Sequence, residues 1–149
     1  HTNQSCHESY QNDLGVFKVP IIFYAPGDTT LTGMRNDIIA QQIDIMPTVL
    51  GYLGYDKPYV AFGCDLLSTP PQQTFAVNYA NDIYQYVKGE YLLQFDGNGT
   101  RAVYNFKSDP LLKHNLVGKV DCSSMELELK AIIQQYMQRM NENRLTTSN

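Results

Sequence analysis

The hydrophobic and polar positions in the second half of the chain alternate in short runs. Residues 74–79, 83–88, 91–95 and 101–106 are rich in Tyr, Phe and Val and show the partial alternation of strands. The links between these runs are short and contain Asn, Asp or Gly, so consecutive strands must run antiparallel. The pattern therefore predicts a four-stranded antiparallel meander.

A helical period replaces this alternation near the carboxyl terminus. The predicted helix begins at Ser123 or Ser124, and Ser123 with Glu126 fits a capping box. The apolar stripe of such a helix must be buried, and the meander is the nearest apolar surface along the sequence. We expect the helix to pack on the sheet through Met125, Leu129, Ile132, Ile133, Tyr136 and Met140.

An apolar run in the first half predicts one further strand. Residues 17–24 are almost all apolar, and the run ends at the turn residues Pro26-Gly27. A short apolar run of this kind is typical of a buried strand. Pro20 lies near its start, where the missing N–H group is tolerated.

A short helix with good end signals is predicted over residues 44–54. Asp44 is placed to act as its N-cap, Pro47 lies in the first turn, and Gly54 is placed to act as its C-terminal cap. Apolar residues recur at helical spacing and predict one buried face. This face consists of Ile45, Val49, Leu50 and Leu53.

Length and composition indicate a folded α+β protein. The 149 residues, 43% hydrophobic and 17% charged, suit one domain with a real core. We predict two parts, residues 1–72 with the short buried strand and the capped helix, and residues 73–149 with the meander and the terminal helix. The net charge of −4, without a basic stripe, argues against nucleic-acid binding. No apolar run reaches the roughly 18 residues of a membrane-spanning helix.

Residues with catalytic chemistry are sparse. The sequence has no glycine-rich phosphate loop, no G-x-S-x-G and no H-E-x-x-H motif. His7, next to Glu8, is either a ligand or base that contacts substrate or metal, or a solvated side chain in a polar loop. The cysteines Cys6, Cys64 and Cys122 form no C-x-x-C pair, which argues against a structural zinc site. One disulfide with one free thiol, or three free thiols, both remain open.

Five stretches occur in an order that resembles one protein family. His1-Thr2-Asn3 is similar to the family's Asp-His metal motif, and residues 19–27 are similar to its strand after the active-site loop. Residues 42–54 and 62–67 come next, and the closing Asp-Pro and Asn-Leu pattern of residues 103–116 comes last. The ordered set resembles the carboxyl-terminal part of the sulfatase and lipoteichoic acid synthase branch of the alkaline phosphatase superfamily.

The resemblance implies a metal-dependent enzyme that cleaves or transfers phosphate or sulfate esters. In this family a Thr or Ser nucleophile, or formylglycine, attacks the ester while bound to a divalent metal. Only His1 matches a metal ligand, and no Thr or Ser of this chain matches the nucleophile. The implied metal is Zn, Mn, Mg or Ca. We therefore expect no catalytic residue in this chain, no activity and no bound metal for the chain alone, and an active parent protein.

The resemblance also implies where the parent protein works and what it contacts. The chain would complete an alkaline-phosphatase-like α/β domain, so its first partner is the remainder of that catalytic domain. The parent would be membrane-anchored, with this domain on the extracytoplasmic face of a bacterial cytoplasmic membrane. Its substrate would be a small-molecule or lipid-linked phosphate or sulfate ester.

Two alternatives do not depend on the resemblance. The first is a stand-alone, non-catalytic α+β binding or interaction module. The second is a small metal-binding protein that uses Cys6, His7 and Glu8. The coding sequence upstream of His1 discriminates between them and the enzyme hypothesis, because an Asp directly before His1 and an earlier Thr or Ser nucleophile would support the enzyme.

Overall fold

The computed structural model describes residues 7–31 and 33–147 and shows an α+β fold. Four strands, β1 (Phe75–Ala80), β2 (Ile83–Lys88), β3 (Tyr91–Phe95) and β4 (Thr100–Asn105), form one sheet in the order β1-β2-β3-β4. Every neighbouring pair is antiparallel. The predicted meander is confirmed, with each strand boundary within one residue of its predicted position.

The link between β1 and β2 shows why the meander forms. Asn81 and Asp82 both have positive φ, 51° and 61°. Two consecutive left-handed residues are the requirement of a type I′ turn, whose twist matches that of the flanking strands. Asn and Asp tolerate this conformation better than other non-glycine residues. The two-residue link therefore fixes the register in which Ala80 faces Ile83.

Helix α2 (Ser123–Asn141) covers one face of the sheet, as predicted. The core between them contains the buried side chains of Tyr86, Leu93, Phe95, Val103 and Leu129. A polar contact also joins the two layers at Glu128. Its Oε2 accepts hydrogen bonds from the Tyr86 hydroxyl at 2.7 Å and from Lys88 Nζ at 2.6 Å.

Two details predicted for α2 are wrong. Cys122 is the N-cap residue and makes no side-chain cap bond, while Glu126 accepts from Thr100 and Lys130 instead of closing a capping box. Tyr136 and Met140 are exposed rather than buried. A helix of 19 residues is about 28 Å long, so its last turns extend past the side chains of the core.

Loops from the first half cover the opposite face of the sheet. The buried residues Ala76, Val87 and Leu92 pack there against Leu14. Partly buried Ile39, Tyr104, Phe106 and Leu112 complete this second core. The sheet is therefore buried on both faces, by a helix on one side and by irregular chain on the other.

The strand predicted over residues 17–24 is wrong for the chain as described. Phe17 ends a 3₁₀ helix (Gly15–Phe17), and the chain has no regular secondary structure from residue 18 to 25. Ile22 and Tyr24 are 82% and 84% exposed. The physical reason is that no neighbouring strand pairs with this segment in the described part of the chain.

Helix α1 (Ile45–Tyr52) forms as predicted, but its apolar face is not buried. Pro47 lies in the first turn, and Gly54, with φ 66°, follows the helix in the left-handed conformation. The buried residues of α1 are Pro47 and Thr48, whereas Leu53 is 70% exposed. The exposed apolar positions are Ile45, Met46, Val49, Tyr52 and Leu53, because no other described element covers this side of α1.

The remaining sequence expectations concern membrane and cysteines. No helix in the described ranges is long and apolar enough to cross a membrane. Cys64 and Cys122 are both half-buried free thiols. Cys6 lies outside the described residues, so its state stays a prediction.

Candidate functional site

A buried carboxylate joins the two central stretches that carry the family resemblance. Asp44 ends a 3₁₀ helix (Gln42–Asp44) directly before α1 and is 0% exposed. Its Oδ2 accepts a hydrogen bond from the backbone N–H of Gln41, and its Oδ1 accepts one from the N–H of Cys64, both at 2.8 Å. The predicted cap bond to the next turn of α1 is wrong, since both oxygens bind elsewhere.

The hydroxyl of Thr48 makes a second link one helical turn later. It donates to the carbonyl oxygen of Asp44 at 2.6 Å and accepts from the backbone N–H of Leu66 at 3.0 Å. Thr48 and Leu66 are both buried. We call the group formed by Asp44, Thr48, Gly63, Cys64 and Leu66 the Asp44 junction. The junction fixes the loop at residues 62–67 against the start of α1.

The enclosure of the Asp44 carboxylate argues against a catalytic role. Burial raises the pKa of Asp44, although hydrogen bonds from the backbone N–H groups of Cys64 and Gln41 partly oppose this rise. Burial also raises the pKa of the Cys64 thiol. A general base or metal ligand must reach its substrate or ion, and the Asp44 carboxylate is enclosed with both oxygens occupied. The junction therefore holds the structure together.

Glycine is required where the loop meets α1. A Cβ atom on Gly63 would lie 2.4 Å from the carbonyl oxygen of Ile43 and 2.6 Å from Asp44 Oδ1. A Cβ atom on Gly51 would lie 2.5 Å from Asp65 Oδ2, which belongs to a side chain and can move. Of these two glycines, Gly63 is the one whose Cβ atom would meet backbone, at Ile43, which cannot easily move away.

We expect Gly63→Ala to destabilise the fold by roughly 1–3 kcal/mol, because the added methyl group must displace the backbone at Ile43. Chemical denaturation of the purified chain measures this loss. Gly99→Ala is the matched control, since a Cβ atom there meets nothing within 4 Å and Gly99 does not need positive φ. A Gly63→Ala variant as stable as Gly99→Ala would contradict the close approach at the junction.

The site residues predicted from the sequence are not brought together. His1 lies outside the described residues, so its predicted role as a metal ligand stays a prediction. His7 is exposed and acts as N-cap of a 3₁₀ helix (Glu8–Tyr10), where Nδ1 accepts from the Ser9 N–H at 3.3 Å. Its ring also contacts that of Tyr10 edge-on. This position gives the weak prediction of substrate binding by His7 no support.

The described residues show no cluster of ligands for the metal implied by the resemblance. Within 7–31 and 33–147, no three His, Cys, Asp or Glu side chains are close enough to share an ion. A tight site needs three or four ligands of suitable geometry.

A cavity of about 690 Å³ lies between α2, the first two strands and α1. Its lining is mostly apolar and aromatic and includes Ile43, Met46, Phe62, Phe75, Ile133 and Tyr136. The Phe62 and Tyr136 rings meet edge-on with centroids 5.0 Å apart. None of the described residues that line the cavity is His, Cys, Asp, Glu, Lys or Arg, so it offers apolar contact rather than acid–base chemistry.

The closing Asp-Pro and Asn-Leu stretch also has a structural role. Asn115 Oδ1 accepts from the backbone N–H of Val103 at 3.1 Å, and its Nδ2 donates to the carbonyl oxygen of Arg101 at 3.2 Å. The N–H of Leu116 donates to the Val103 carbonyl at 2.8 Å. These bonds satisfy the free edge of β4, which would otherwise be open to another strand.

Comparisons with known proteins do not assign a family. No protein-family model matches the chain, and no curated protein matches it. The sulfatase-like interpretation therefore depends on the order of the five stretches in the sequence and stays a hypothesis.

Sequence analysis missed the residues that hold the central stretches together. Thr48 and Gly63 carry the closest contacts, yet neither was singled out from the sequence. Thr48 contacts Asp44 one helical turn away, but its partner Leu66 and the Gly63 partners Ile43 and Asp44 lie 18 or more residues away, beyond the range of local patterns. Gly63 lies between Phe62 and Cys64 and outside any predicted turn. A glycine in such a place is the one sequence signal that could have indicated a close backbone approach.

Proposed function

We propose that this chain is the carboxyl-terminal part of a metal-dependent phospho- or sulfo-ester hydrolase or transferase of the sulfatase and lipoteichoic acid synthase type. In this proposal the chain contributes structural support to the catalytic domain and few of the residues that carry out the reaction. The nucleophile and most metal ligands come from upstream. The substrate is a small-molecule or lipid-linked ester, and the domain lies on the extracytoplasmic face of a bacterial cytoplasmic membrane.

The observation that carries the proposal is the uncovered apolar face of α1. Hydrogen bonds of the Asp44 junction hold the first turn of α1 in place, yet Ile45, Val49 and Leu53 on that helix are exposed. Monomeric soluble proteins rarely leave large contiguous apolar patches open, and such patches mark interaction sites. A helix held this firmly with an open apolar face is what a scaffold segment needs when another part of the same domain packs on it.

His1 is the one residue that the proposal gives to the metal site. Its imidazole would act together with the Asp that the family places directly before it and with upstream acidic residues. When bound, the metal would supply Lewis-acid activation of the ester and would lower the pKa of the nucleophile. Zinc and manganese suit a site that combines imidazole with carboxylates.

The experiment compares the 149-residue chain with a chain extended upstream to include the proposed nucleophile. Each is assayed with an aryl phosphate and an aryl sulfate in the presence of Zn²⁺ or Mn²⁺. We expect turnover only from the extended chain, because positioning and metal activation both require upstream residues. Metal-dependent turnover by the 149-residue chain alone would disprove this division of roles.

His1→Ala in the extended chain tests the residue assignment. We expect metal content and activity to fall together, whereas His7→Ala should leave both unchanged, because His7 is placed as a cap on a surface loop. Metal content is measured by atomic emission and activity with the same aryl esters. Unchanged activity in His1→Ala would mean that His1 is not the metal ligand.

The apolar cavity favours a second candidate function, a non-catalytic binding module. Its volume of about 690 Å³ falls within the range of ligand-binding pockets. The two functions differ in what precedes His1. An upstream coding sequence with neither an Asp directly before His1 nor a Thr or Ser nucleophile would favour the binding module.

A further inference from the structure

The loop that joins β3 to β4 contains an Asn-Gly pair. The loop consists of residues 96–99, Gly97 has a φ of 92°, and Asn98 is exposed. Asparagine followed by glycine is especially prone to spontaneous loss of the side-chain amide, because glycine has no Cβ atom to shield its backbone nitrogen. The space around Gly99 is open as well, since an added Cβ atom would meet nothing within 4 Å.

The reaction requires only these two residues and water. The backbone nitrogen of Gly99 loses its proton to solvent and forms a bond to Cγ of the Asn98 side chain. The bond from Cγ to the side-chain nitrogen breaks, and that nitrogen takes up a proton and leaves as ammonia. Water then opens the resulting cyclic imide at either of its carbonyl groups, which leaves aspartate or isoaspartate at position 98.

Asp96 directs the attacking nitrogen away from its target. Asp96 Oδ1 accepts hydrogen bonds from the backbone N–H groups of Asn98 and Gly99, both at 2.9 Å. The electron pair that attacks Cγ lies along the former N–H bond, because the cyclic imide is planar at nitrogen. In the closed hairpin this direction points from Gly99 to the Asp96 carboxylate, so the electron pair is not available to the Asn98 side chain.

The charge of Asp96 opposes the first step as well. Hydrogen bonds from the backbone N–H groups of Gly99 and Asn98 lower the pKa of Asp96 to about 2, so this carboxylate is ionised throughout the physiological range. Loss of the Gly99 proton would place a second negative charge within hydrogen-bond distance of it. Like charges at this separation repel each other, so the Gly99 amide is harder to ionise.

The two reacting groups are held to different degrees. Arg101 forms an ion pair with Asp96 and donates from Nε to Oδ2 at 2.6 Å, which leaves Oδ1 turned toward the loop and its N–H groups. The amide side chain of Asn98, by contrast, makes no hydrogen bond to any group of residues 7–31 and 33–147. The contacts of Asp96 are therefore the restraint on the reaction.

We propose that Asn98 is a site of spontaneous deamidation and that Asp96 protects it for as long as the β3–β4 hairpin is closed. Opening of the hairpin removes both restraints together, the direction of the Gly99 N–H group and the repulsion by the carboxylate. The extent of modification then records how often the hairpin opens. This inference is independent of the proposed function, because it needs no residue outside the loop.

The modification would also affect the contact between the hairpin and α2. Thr100 directly follows the Asn-Gly pair, and its Oγ1 donates to Glu126 Oε2, in the first turn of α2, at 2.5 Å. An isoaspartate adds one atom to the backbone of the loop, so the start of β4 must shift in the register of the hairpin. The shift would weaken the bond from Thr100 to Glu126 and with it the packing of α2 on the sheet.

Peptide mapping by mass spectrometry, after incubation at mildly alkaline pH, measures the rate of deamidation at Asn98. Wild type and Asp96→Ala are compared, each folded and each in concentrated urea. A hydrogen bond to a charged group is worth a factor of roughly 10–100 in an equilibrium or a rate. We therefore expect folded Asp96→Ala to deamidate at Asn98 at least about 10-fold faster than folded wild type. In urea the two rates should be similar, because the hairpin is open in both.

Three further variants separate protection by Asp96 from a general loss of structure. Asp96→Asn keeps an acceptor oxygen without the charge and should deamidate at an intermediate rate. Asp96→Ala combined with Gly99→Ala should return to a slow rate, because the added Cβ atom shields the attacking nitrogen. Asp56→Ala removes a carboxylate that is 80% exposed and should behave like wild type. Circular dichroism shows which variants are folded.

The proposal is overturned if folded wild type deamidates at Asn98 as fast as wild type in urea. A folded Asp96→Ala variant that is no faster than wild type overturns it as well. If Asp96→Ala does not fold, the folded Asp96→Asn variant decides in its place, and a rate equal to that of wild type refutes the protection by Asp96. A fast rate in the combined variant would show that the Asn-Gly pair is not the cause.

Discussion

Leu129→Ala should lower the free energy of unfolding by about 3 kcal/mol, within the range found for large-to-small changes in well-packed cores. Leu129 is 0% exposed and is the residue of α2 that enters the core formed by Tyr86, Leu93, Phe95 and Val103. Side chains from three strands surround the cavity that the variant would leave. Strands cannot collapse into such a space without breaking their pairing, so little of the loss is recovered.

Leu127→Ala is the matched control for this prediction. It makes the same chemical change two residues earlier in α2, at a side chain that is 70% exposed. We expect a change of a few tenths of a kcal/mol or less, as for surface substitutions generally. Urea denaturation of both variants gives the comparison. Equal losses at the two positions would mean that α2 does not pack on the sheet through the face described.

Asp44→Ala should lower the free energy of unfolding by about as much, again near 3 kcal/mol. The change leaves the backbone N–H groups of Gln41 and Cys64 without their acceptor, and each buried unsatisfied group costs about 1–3 kcal/mol. Burial raises the pKa of the carboxyl group, which shows that the buried charge is unfavourable. The substitution removes this charge, and that gain offsets part of the loss. Thermal and urea denaturation at neutral pH measure the net effect.

Two further variants make this result interpretable. Asp44→Asn keeps one acceptor oxygen and should fall between wild type and Asp44→Ala. Asp56→Ala removes a carboxylate whose side chain is largely exposed and should have little effect. If Asp44→Ala were no worse than Asp56→Ala, the two resemblance stretches would not be joined through this carboxylate.

The pH dependence of the Asp44 contribution follows from the sign of its pKa shift. The pKa of Asp44 is raised in the folded protein, so the folded state binds the proton more tightly than the unfolded state. The stability contributed by Asp44 is complete below the ordinary Asp pKa and decreases as pH rises through the raised value. The difference in stability between wild type and Asp44→Ala should therefore be larger at acidic pH than at pH 7.

The elements that sequence analysis placed correctly are those specified by neighbouring residues. The Asn81-Asp82 turn sets the first hairpin, because its two residues accept positive φ and the strands on either side alternate. Gly54 ends α1 for the same kind of local reason, since glycine adopts the left-handed conformation at little cost. The meander and both helices could therefore be predicted from the chain alone.

The errors concern burial, which local pattern cannot decide. Ile45, Val49 and Leu53 have the spacing of a buried helix face, and residues 17–24 have the composition of a buried strand. In the described chain all three helix positions are exposed, and so are Ile22 and Tyr24 of the second pattern. An apolar pattern indicates that a surface must be covered, but it does not indicate which part of the polypeptide covers it. Within our proposed function, the partner of the α1 face is upstream of His1.

The sequence by itself determined the order of the elements, the antiparallel pairing and the α+β class, because turn chemistry and periodicity act over a few residues. Only the tertiary structure decided the role of Asp44, which the sequence presented as a helix cap. Its carboxylate instead binds the N–H group of Cys64, 20 residues away along the chain. Hydrogen bonds between distant segments depend on how the whole chain packs, so no local pattern in the sequence reveals them.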